Sequence, residues 1–232
     1  MGKFLRIIEP FSLLAVLAVL AICAMNRINQ SALLTVLVAA LACLPFFLRY
    51  EMQKPRPRDI MPVVVLTAIA VVGRVIMTPI PNFQPVSALV ILTGVYFGRQ
   101  SGFLAGAFTA LISNMMLGQG LWTPWQMYAW GMMGFIAGLL FSKKVNEKKE
   151  LGGTKYFIYL YGLAASMLYG LIMDSWFIVG FLADFTPAAV LTAYGAGFIM
   201  NLSHDFATVI FLTLVLVPWG RKFSRIKIKY GI

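Results

Sequence analysis

Four ionisable side chains lie within apolar stretches of this sequence, where a charge is costly and often functional. They are Arg74, Asp174, and the adjacent His204 and Asp205 in "NLSHD". A charge at the centre of a bilayer costs roughly 2.5–3.5 kcal/mol on insertion scales. No GxxxxGK[ST], GxSxG or HExxH motif accompanies them, and His204 is the only histidine. We therefore predict no catalytic residue, no cofactor and no ATP hydrolysis by this chain.

Two explanations stay open for these buried polar groups. They can satisfy one another between helices, as an Arg74–acid pair or with Asn201 and His204 bonded to a neighbouring helix. Alternatively, Asp174 and Asn201 contact a ligand. A neutral imidazole is a common metal ligand, but one histidine specifies no site. We predict no metal site and keep ligation of a metal by His204 as an alternative.

The segment "NMMLGQGLWTPWQMYAW", residues 114–130, brings large aromatic rings and neutral amides into an apolar sequence. An aromatic belt explains part of this pattern, since Trp and Tyr prefer the membrane interface. It does not explain the accompanying amides, or Trp130, which should lie about one turn deeper. Aromatic planes with amides suit a flat ligand that has many hydrogen-bonding groups. We predict an outward-facing binding bowl formed by Asn82, Phe83, Gln84, Asn114, Trp122, Trp125, Gln126, Tyr128, Trp130, Asp174, Trp176 and Asn201.

The elements that must position these residues are membrane-spanning helices. The chain has 232 residues, of which 60% are hydrophobic and 12% charged, and its mean hydropathy is +0.85. Apolar runs recur at the length of roughly twenty residues that crosses a bilayer as a helix. We predict an all-α integral membrane protein with about eight spans, near residues 8–26, 31–50, 60–78, 85–99, 101–118, 123–142, 155–182 and 188–218.

The placement of the basic residues predicts the orientation of these spans. The net charge is +11, and nearly all Lys and Arg fall in the N-terminus, alternate loops and the tail "RKFSRIKIKYGI". This is the positive-inside pattern, so we place both termini in the cytoplasm of a bacterial cell and predict no nucleic-acid partner. Cys23 and Cys43 lie within apolar spans, and we interpret them as small apolar residues.

Small residues recur four positions apart in the middle of the chain. Gly102 and Gly106 form one such pair, and Gly134 and Gly138 form another. This spacing lets helix backbones approach closely in a membrane. We interpret most of these pairs as packing positions within the bundle.

A family resemblance is found in residues 74–140. Its most specific parts are the segments "PNFQP" and "GQGLWTPWQ". The run resembles the substrate-binding S-components of energy-coupling factor (ECF) vitamin transporters, and most of all the cobalamin (vitamin B12) group. The resemblance implies a six-helix core that binds the vitamin from outside. It also implies a membrane scaffold subunit and two ATPase subunits as partners, with release of the vitamin inward.

The resemblance divides the chain into three parts: a transmembrane hairpin and basic loop (1–57), the six-helix core (58–220) and a basic tail (221–232). The hairpin is additional to the usual six helices. The family's small-residue docking motif is present only loosely, as Ala68, Ala70 and Gly73. Alternative functions are an S-component for a queuosine precursor, pantothenate or another small vitamin, or an ion-coupled carrier or intramembrane enzyme.

Overall fold

A computed structural model describes residues 31–148, 151–182 and 186–231, together with Ala15, Ala18 and Ile22. These residues form seven α-helices and contain no strand. Each helix lies within a few residues of a span predicted from the sequence, except that two helices run on well past the predicted ends. The helices are α1 (Ser31–Met52), α2 (Pro57–Ile76), α3 (Val86–Phe97), α4 (Arg99–Leu117), α5 (Thr123–Lys148), α6 (Thr154–Phe181) and α7 (Pro187–Tyr230).

The predicted count of about eight spans is not confirmed. The first predicted span, 8–26, lies outside the described residues apart from the three named above. Among the described helices, α2, α6 and α7 are long and apolar enough to cross a membrane by length and composition. The shorter α3 is also apolar. The all-helical architecture itself is as predicted.

Helix α3 forms the centre of the bundle and packs against α2, α4, α5, α6 and α7. Every residue from Val86 to Tyr96 is buried. A helix that is apolar on all sides belongs in such a position, since it has no polar face to offer to water. Twelve residues of helix cover about 18 Å, so α3 is shorter than a hydrocarbon core of about 30 Å.

Glycines bring the backbones of α3, α4 and α5 into direct contact. A Cβ atom on Gly94 would collide with the backbone of Gly134, and a Cβ on Gly102 would collide with both of those residues. The small residues noted in the sequence are therefore packing positions, at which close approach of the backbones replaces side-chain interdigitation.

Helix α1 shares this core. The ring of Phe46 stacks on Phe103 of α4 with centroids 3.9 Å apart, and meets Phe135 of α5 edge-on at 5.1 Å. Cys43 is buried beside them as a free thiol, in keeping with its interpretation as an apolar residue. The second helix of the predicted hairpin is thus packed into the bundle.

The loops define two ends of the bundle. One end, called here the polar end, carries loops 77–85 and 118–122 and the start of α7. The other, the basic end, carries loops 53–56 and 151–153 and the last turns of α7. With 44 residues, α7 is about 66 Å long, more than twice the thickness of a hydrocarbon core. Its last turns stay in contact with the bundle at the basic end, where Arg58 Nη1 of α2 donates to Tyr230 O at 3.0 Å.

Candidate functional site

A buried arginine organises the polar end of the bundle. Arg74 lies in the last turn of α2 and is 8% exposed. Its Nη1 atom donates to Ser113 Oγ at 2.5 Å and to Asn114 Oδ1 at 2.8 Å. Its Nη2 atom donates to Gln126 Oε1 at 3.4 Å. The guanidinium therefore joins α2 to the end of α4 and the start of α5.

An aromatic pair covers the same guanidinium. The Cζ atom of Arg74 lies 4.9 Å from the ring centroid of Trp130. Trp130 in turn stacks on Tyr169 of α6, with centroids 4.9 Å apart and planes inclined by 18°. A cation over an indole face is attracted by the ring quadrupole, more strongly where water is excluded.

His204 of α7 lies behind this aromatic pair. Trp130 Nε1 donates to Ser87 Oγ at 3.2 Å, and Ser87 Oγ lies 2.6 Å from His204 Nε2. Since Ser87 accepts from the indole, its own proton is free for His204 Nε2. The imidazole also meets the Tyr169 ring edge-on at 4.7 Å.

These contacts continue to the protein surface. Asn114 Nδ2 donates to Gln126 Oε1 at 2.8 Å and to Thr123 Oγ1 at 2.9 Å, and Thr123 donates to the exposed Gln119 at 2.8 Å. A chain of polar contacts thus runs from loop 118–122 into the core. We call it the Arg74 cluster; its members are Arg74, Ser87, Ser113, Asn114, Thr123, Gln126, Trp130, Tyr169 and His204.

The electrostatics of the cluster are unbalanced within the described residues. Every hydrogen-bond acceptor recorded for the Arg74 guanidinium is neutral, and its Nε atom is buried with no partner. The interpretation of an Arg74–acid pair is therefore wrong for the described part of the chain. A buried cation held by amides and hydroxyls is suited to bind a carbonyl-rich or anionic group.

The two acidic residues of α6 and α7 pair elsewhere. Asp174 Oδ2 accepts from Asn201 Nδ2 at 2.8 Å, and Asp205 Oδ1 accepts from Ser166 Oγ at 2.5 Å. The Asp174 carboxylate also packs directly against Gly197. Asn201 and His204 are bonded to neighbouring helices, which is one of the two explanations that the sequence left open.

The structure brings together only some of the residues predicted for the bowl. Asn114, Gln126 and Trp130 belong to the Arg74 cluster. Of the rest, Trp122 is 39% exposed at the polar end, and Gln84 is half-buried in loop 77–85. Asn82 Nδ2 donates to Met200 O of α7 at 3.3 Å, and the Phe83 ring lies 5.5 Å from that of Phe211.

The remaining aromatic residues lie in the core. Trp125 is fully buried and meets Tyr128 edge-on, with centroids 6.3 Å apart. Trp176 is buried against Phe181, at a centroid distance of 5.4 Å. All three belong to the same buried core as Trp130 and Tyr169, and Tyr128 lines one cavity together with Tyr169.

Sequence reasoning missed several members of the cluster. Arg74 was singled out for its charge but not placed in the site, and Ser87, Ser113, Thr123 and Tyr169 were not considered. A signal was available for Ser113 and Thr123, which adjoin or lie within the segment 114–130. None was available for Tyr169, because α6 carries several tyrosines along its length.

The helical fold and apolar composition define a multi-pass membrane protein. The sequence profile of the family described as "ECF-type riboflavin transporter, S component" matches residues 56–219. Similar relatives include the UPF0397 proteins of Streptococcus pneumoniae serotype 19F (strain G54) and strain 70585. Each is 25% identical over 160 residues, which cover 67% of this chain and 85% of the relative. No solved structure matches the chain.

The chain belongs to the ECF-type riboflavin transporter S-component family. It is therefore a substrate-binding subunit of an ECF transporter and a cell-membrane protein, and its family is not an enzyme family. S-components of this kind work with a membrane scaffold subunit, ATPase subunits and a vitamin substrate.

Proposed function

We propose that this S-component captures a vitamin with a flat conjugated ring and a carbonyl-rich edge, of the riboflavin type, at the Arg74 cluster. The observation that carries the proposal is the buried guanidinium of Arg74, held by neutral amides and covered by an indole. Such a site recognises a ring by stacking and its edge by hydrogen bonds.

The chemistry of a flavin ring matches these groups. One edge carries two carbonyl oxygens on either side of an N–H. Arg74 and the Asn114 amide supply donors for the oxygens, and the oxygen of Gln126 supplies an acceptor for the N–H. The ligand would replace part of the present contacts within the cluster, and it would give the Nε atom of Arg74 the acceptor that it lacks.

Cobalamin is the second candidate, favoured by the sequence resemblance and by exposed groups at the polar end. Its corrin ring is flat and edged with amides, but it is far larger than a flavin. It would have to extend over Trp122, which is 39% exposed, and over the exposed Asn82. A queuosine precursor or pantothenate is much smaller than cobalamin and would need only the polar groups of the cluster.

Binding measurements on purified protein separate these candidates. The protein is solubilised in detergent, small molecules that co-purify are identified by mass spectrometry, and riboflavin and cyanocobalamin are each titrated by calorimetry. Riboflavin binding that is lost in Arg74→Gln supports the first candidate. Tight cyanocobalamin binding that needs Trp122 but not Arg74 would replace it with the second. Retention of pantothenate or a queuosine precursor would contradict both.

Transport and orientation follow from the same proposal. Uptake into liposomes should need the scaffold and ATPase subunits, because this sequence carries no phosphate-binding loop of the GxxxxGK[ST] type. Full uptake by this chain alone would favour an ion-coupled carrier. For orientation, cysteines are placed at Asn82 and Asn146 and treated with an impermeant thiol reagent in intact cells. Labelling at 82 alone is expected, and labelling at 146 alone would reverse the proposed topology.

A further inference from the structure

A cavity lies at the basic end of the bundle, away from the Arg74 cluster. It has a volume of about 470 Å³ and lies between the first turn of α6 and the last third of α7. Residues that line it include Tyr96, Lys155, Gly220, Arg221, Ser224 and Arg225.

The described side chains that line this cavity carry a single sign of charge. Lys155, Arg221 and Arg225 are basic, and none of the lining residues that the structure describes is acidic. Arg221 and Arg225 lie four residues apart on α7, so both project on the same side of the helix. No acceptor or carboxylate partner is recorded for these two arginines within the described part of the chain. Lys227 nearby is different, because it donates to Tyr96 O at 2.7 Å and to Asn146 Oδ1 at 2.9 Å.

A glycine allows a close contact between two of the helices that line the cavity. Gly220 packs directly against the hydroxyl of Tyr96, and any Cβ at this position would collide with that oxygen. Ser224, one turn further along α7, has its hydroxyl bonded to Gly220 O at 3.0 Å. Hydroxyl and backbone groups therefore line the cavity together with the two arginines, which are exposed.

The position of the cavity along the helices points to the lipid headgroup region. The apolar run of α7 ends at Val217 to Trp219, directly before Arg221. On α6, Tyr156 and Phe157 next to Lys155 are 66% and 62% exposed. Aromatic residues followed by cations mark the level at which a helix leaves the hydrocarbon core, and juxtamembrane cations attract anionic lipids.

From this placement we infer that the cavity between α6 and α7 binds the phosphate headgroup of an anionic phospholipid. The two arginines contact the phosphate, Lys155 supplies a third cation, and the acyl chains lie along the exposed apolar surface of α6. The inference does not depend on which vitamin the Arg74 cluster takes.

The test uses the full chain in mixed micelles with phosphatidylglycerol, and retained lipid is counted by native mass spectrometry. Arg221→Gln/Arg225→Gln should weaken retention roughly tenfold or more, since each cation near an anionic surface contributes to lipid affinity. Lys222→Gln/Lys229→Gln is the matched control, because it removes the same charge from the same helix without touching the cavity. The control should retain phosphatidylglycerol as the unmodified protein does. Equal losses in the two variants would overturn the inference in favour of a diffuse basic surface.

Two further arms identify the source of the phosphate. Phosphatidylcholine, which has no net charge, should be retained weakly and equally by all three proteins. Inorganic phosphate and glycerol 3-phosphate should not displace phosphatidylglycerol at millimolar concentration. Displacement by either would overturn the assignment to a lipid and indicate a soluble phosphate ligand. An unchanged midpoint of thermal unfolding establishes that each variant is folded; if the arginine pair unfolds, Arg221→Lys/Arg225→Lys, which keeps the charge, is expected to retain the lipid.

Discussion

Arg74 and Asp174 are both ionisable residues in apolar helices, yet their surroundings are built differently. Arg74 is held by side chains from two other helices, it lies under an indole ring, and one of its nitrogen atoms has no partner. Asp174 of α6 accepts one hydrogen bond from Asn201 of α7 and packs against Gly197, which is also on α7. One group joins three helices at the polar end, and the other joins a single pair.

Arg74 is surrounded as expected for a binding site, whereas Asp174 and Asn201 form a structural contact. A polar pair between two helices is complete when each group has its partner, and it then stabilises that helix pair. The Arg74 cluster is incomplete, because a buried donor is left over and the chain of contacts ends at an exposed glutamine. A donor without an acceptor is costly in a folded protein, and a ligand that supplies the acceptor recovers this free energy on binding.

The largest expected effect is on ligand binding by Arg74 variants. Arg74→Gln removes the cation and most of its donors, so riboflavin affinity should fall by about 10- to 100-fold, since hydrogen bonds to charged groups contribute about 1.5–3 kcal/mol each. Arg74→Lys keeps the charge without the planar fork and should be intermediate. Calorimetric titration of riboflavin measures both. Lys222→Gln at the basic end is the control, and an equal loss there would mean that overall charge governs binding.

Two tryptophans on the same helix test whether the cluster or the whole aromatic segment is the site. Trp130→Ala should weaken riboflavin binding by about tenfold, because ring stacking contributes on the order of 1 kcal/mol beyond burial. Trp125→Ala should instead lower the free energy of unfolding by about 3–5 kcal/mol, the usual cost of emptying a buried indole site. The dissociation constant of the Trp125 variant should stay unchanged in its folded fraction. If both substitutions weaken binding equally, the site extends beyond the Arg74 cluster.

Asp174, which pairs with Asn201, should affect the stability of the protein rather than its affinity for the ligand. Asp174→Ala leaves the amide of Asn201 without its acceptor, so the free energy of unfolding should fall by about 1–3 kcal/mol. Asp174→Asn keeps an acceptor oxygen and should cost less. The midpoint of thermal unfolding in detergent and a riboflavin titration are measured side by side. A loss of affinity with an unchanged midpoint would place Asp174 in the binding site.

The smallest effect is expected at His204, the member of the cluster that lies behind Trp130 and Tyr169. His204→Gln keeps a polar group towards Ser87, so binding should weaken by about fivefold or less, the equivalent of about one neutral hydrogen bond. If cobalamin proves to be the ligand, its visible spectrum distinguishes the two roles of this residue. A spectrum unchanged by the substitution is expected, whereas a shift would mean that His204 ligates cobalt and leaves Ser87.

Most of the helices could be predicted because apolar length and turn residues act locally. Pro57, Gly98 and Gly118 bound their helices as their chemistry suggests, and the predicted span 85–99 lies within two residues of α3 at each end. Its role as the buried centre of the bundle was not predicted, because burial depends on which helices surround it. The ends of α5 and α7 were placed too early, since both helices continue as polar sequence beyond the apolar run.

The site was predictable only in part, for a related reason. Gln126 and Trp130 share a face because they lie four residues apart, and this spacing was visible in the sequence. Trp125 is surrounded by the same types of residue in the sequence as Trp130, yet its side chain is buried in the core. This difference depends on how α5 packs against its neighbours. The contact between Arg74 and Asn114 joins residues forty positions apart, and no local pattern records it.

The shortness of α3 has an evolutionary consequence. Helices that face lipid must match the thickness of the bilayer, but α3 is enclosed by other helices and is free of this constraint. Ser87, the second residue of α3, belongs to the Arg74 cluster, so the depth at which α3 begins sets the depth of this part of the cluster. Adding or removing one helical turn at this end of α3 would shift that part of the cluster by about 5.4 Å without altering any surface in contact with lipid. Ligand size could thus diversify among descendants of one bundle through the length of a single enclosed helix.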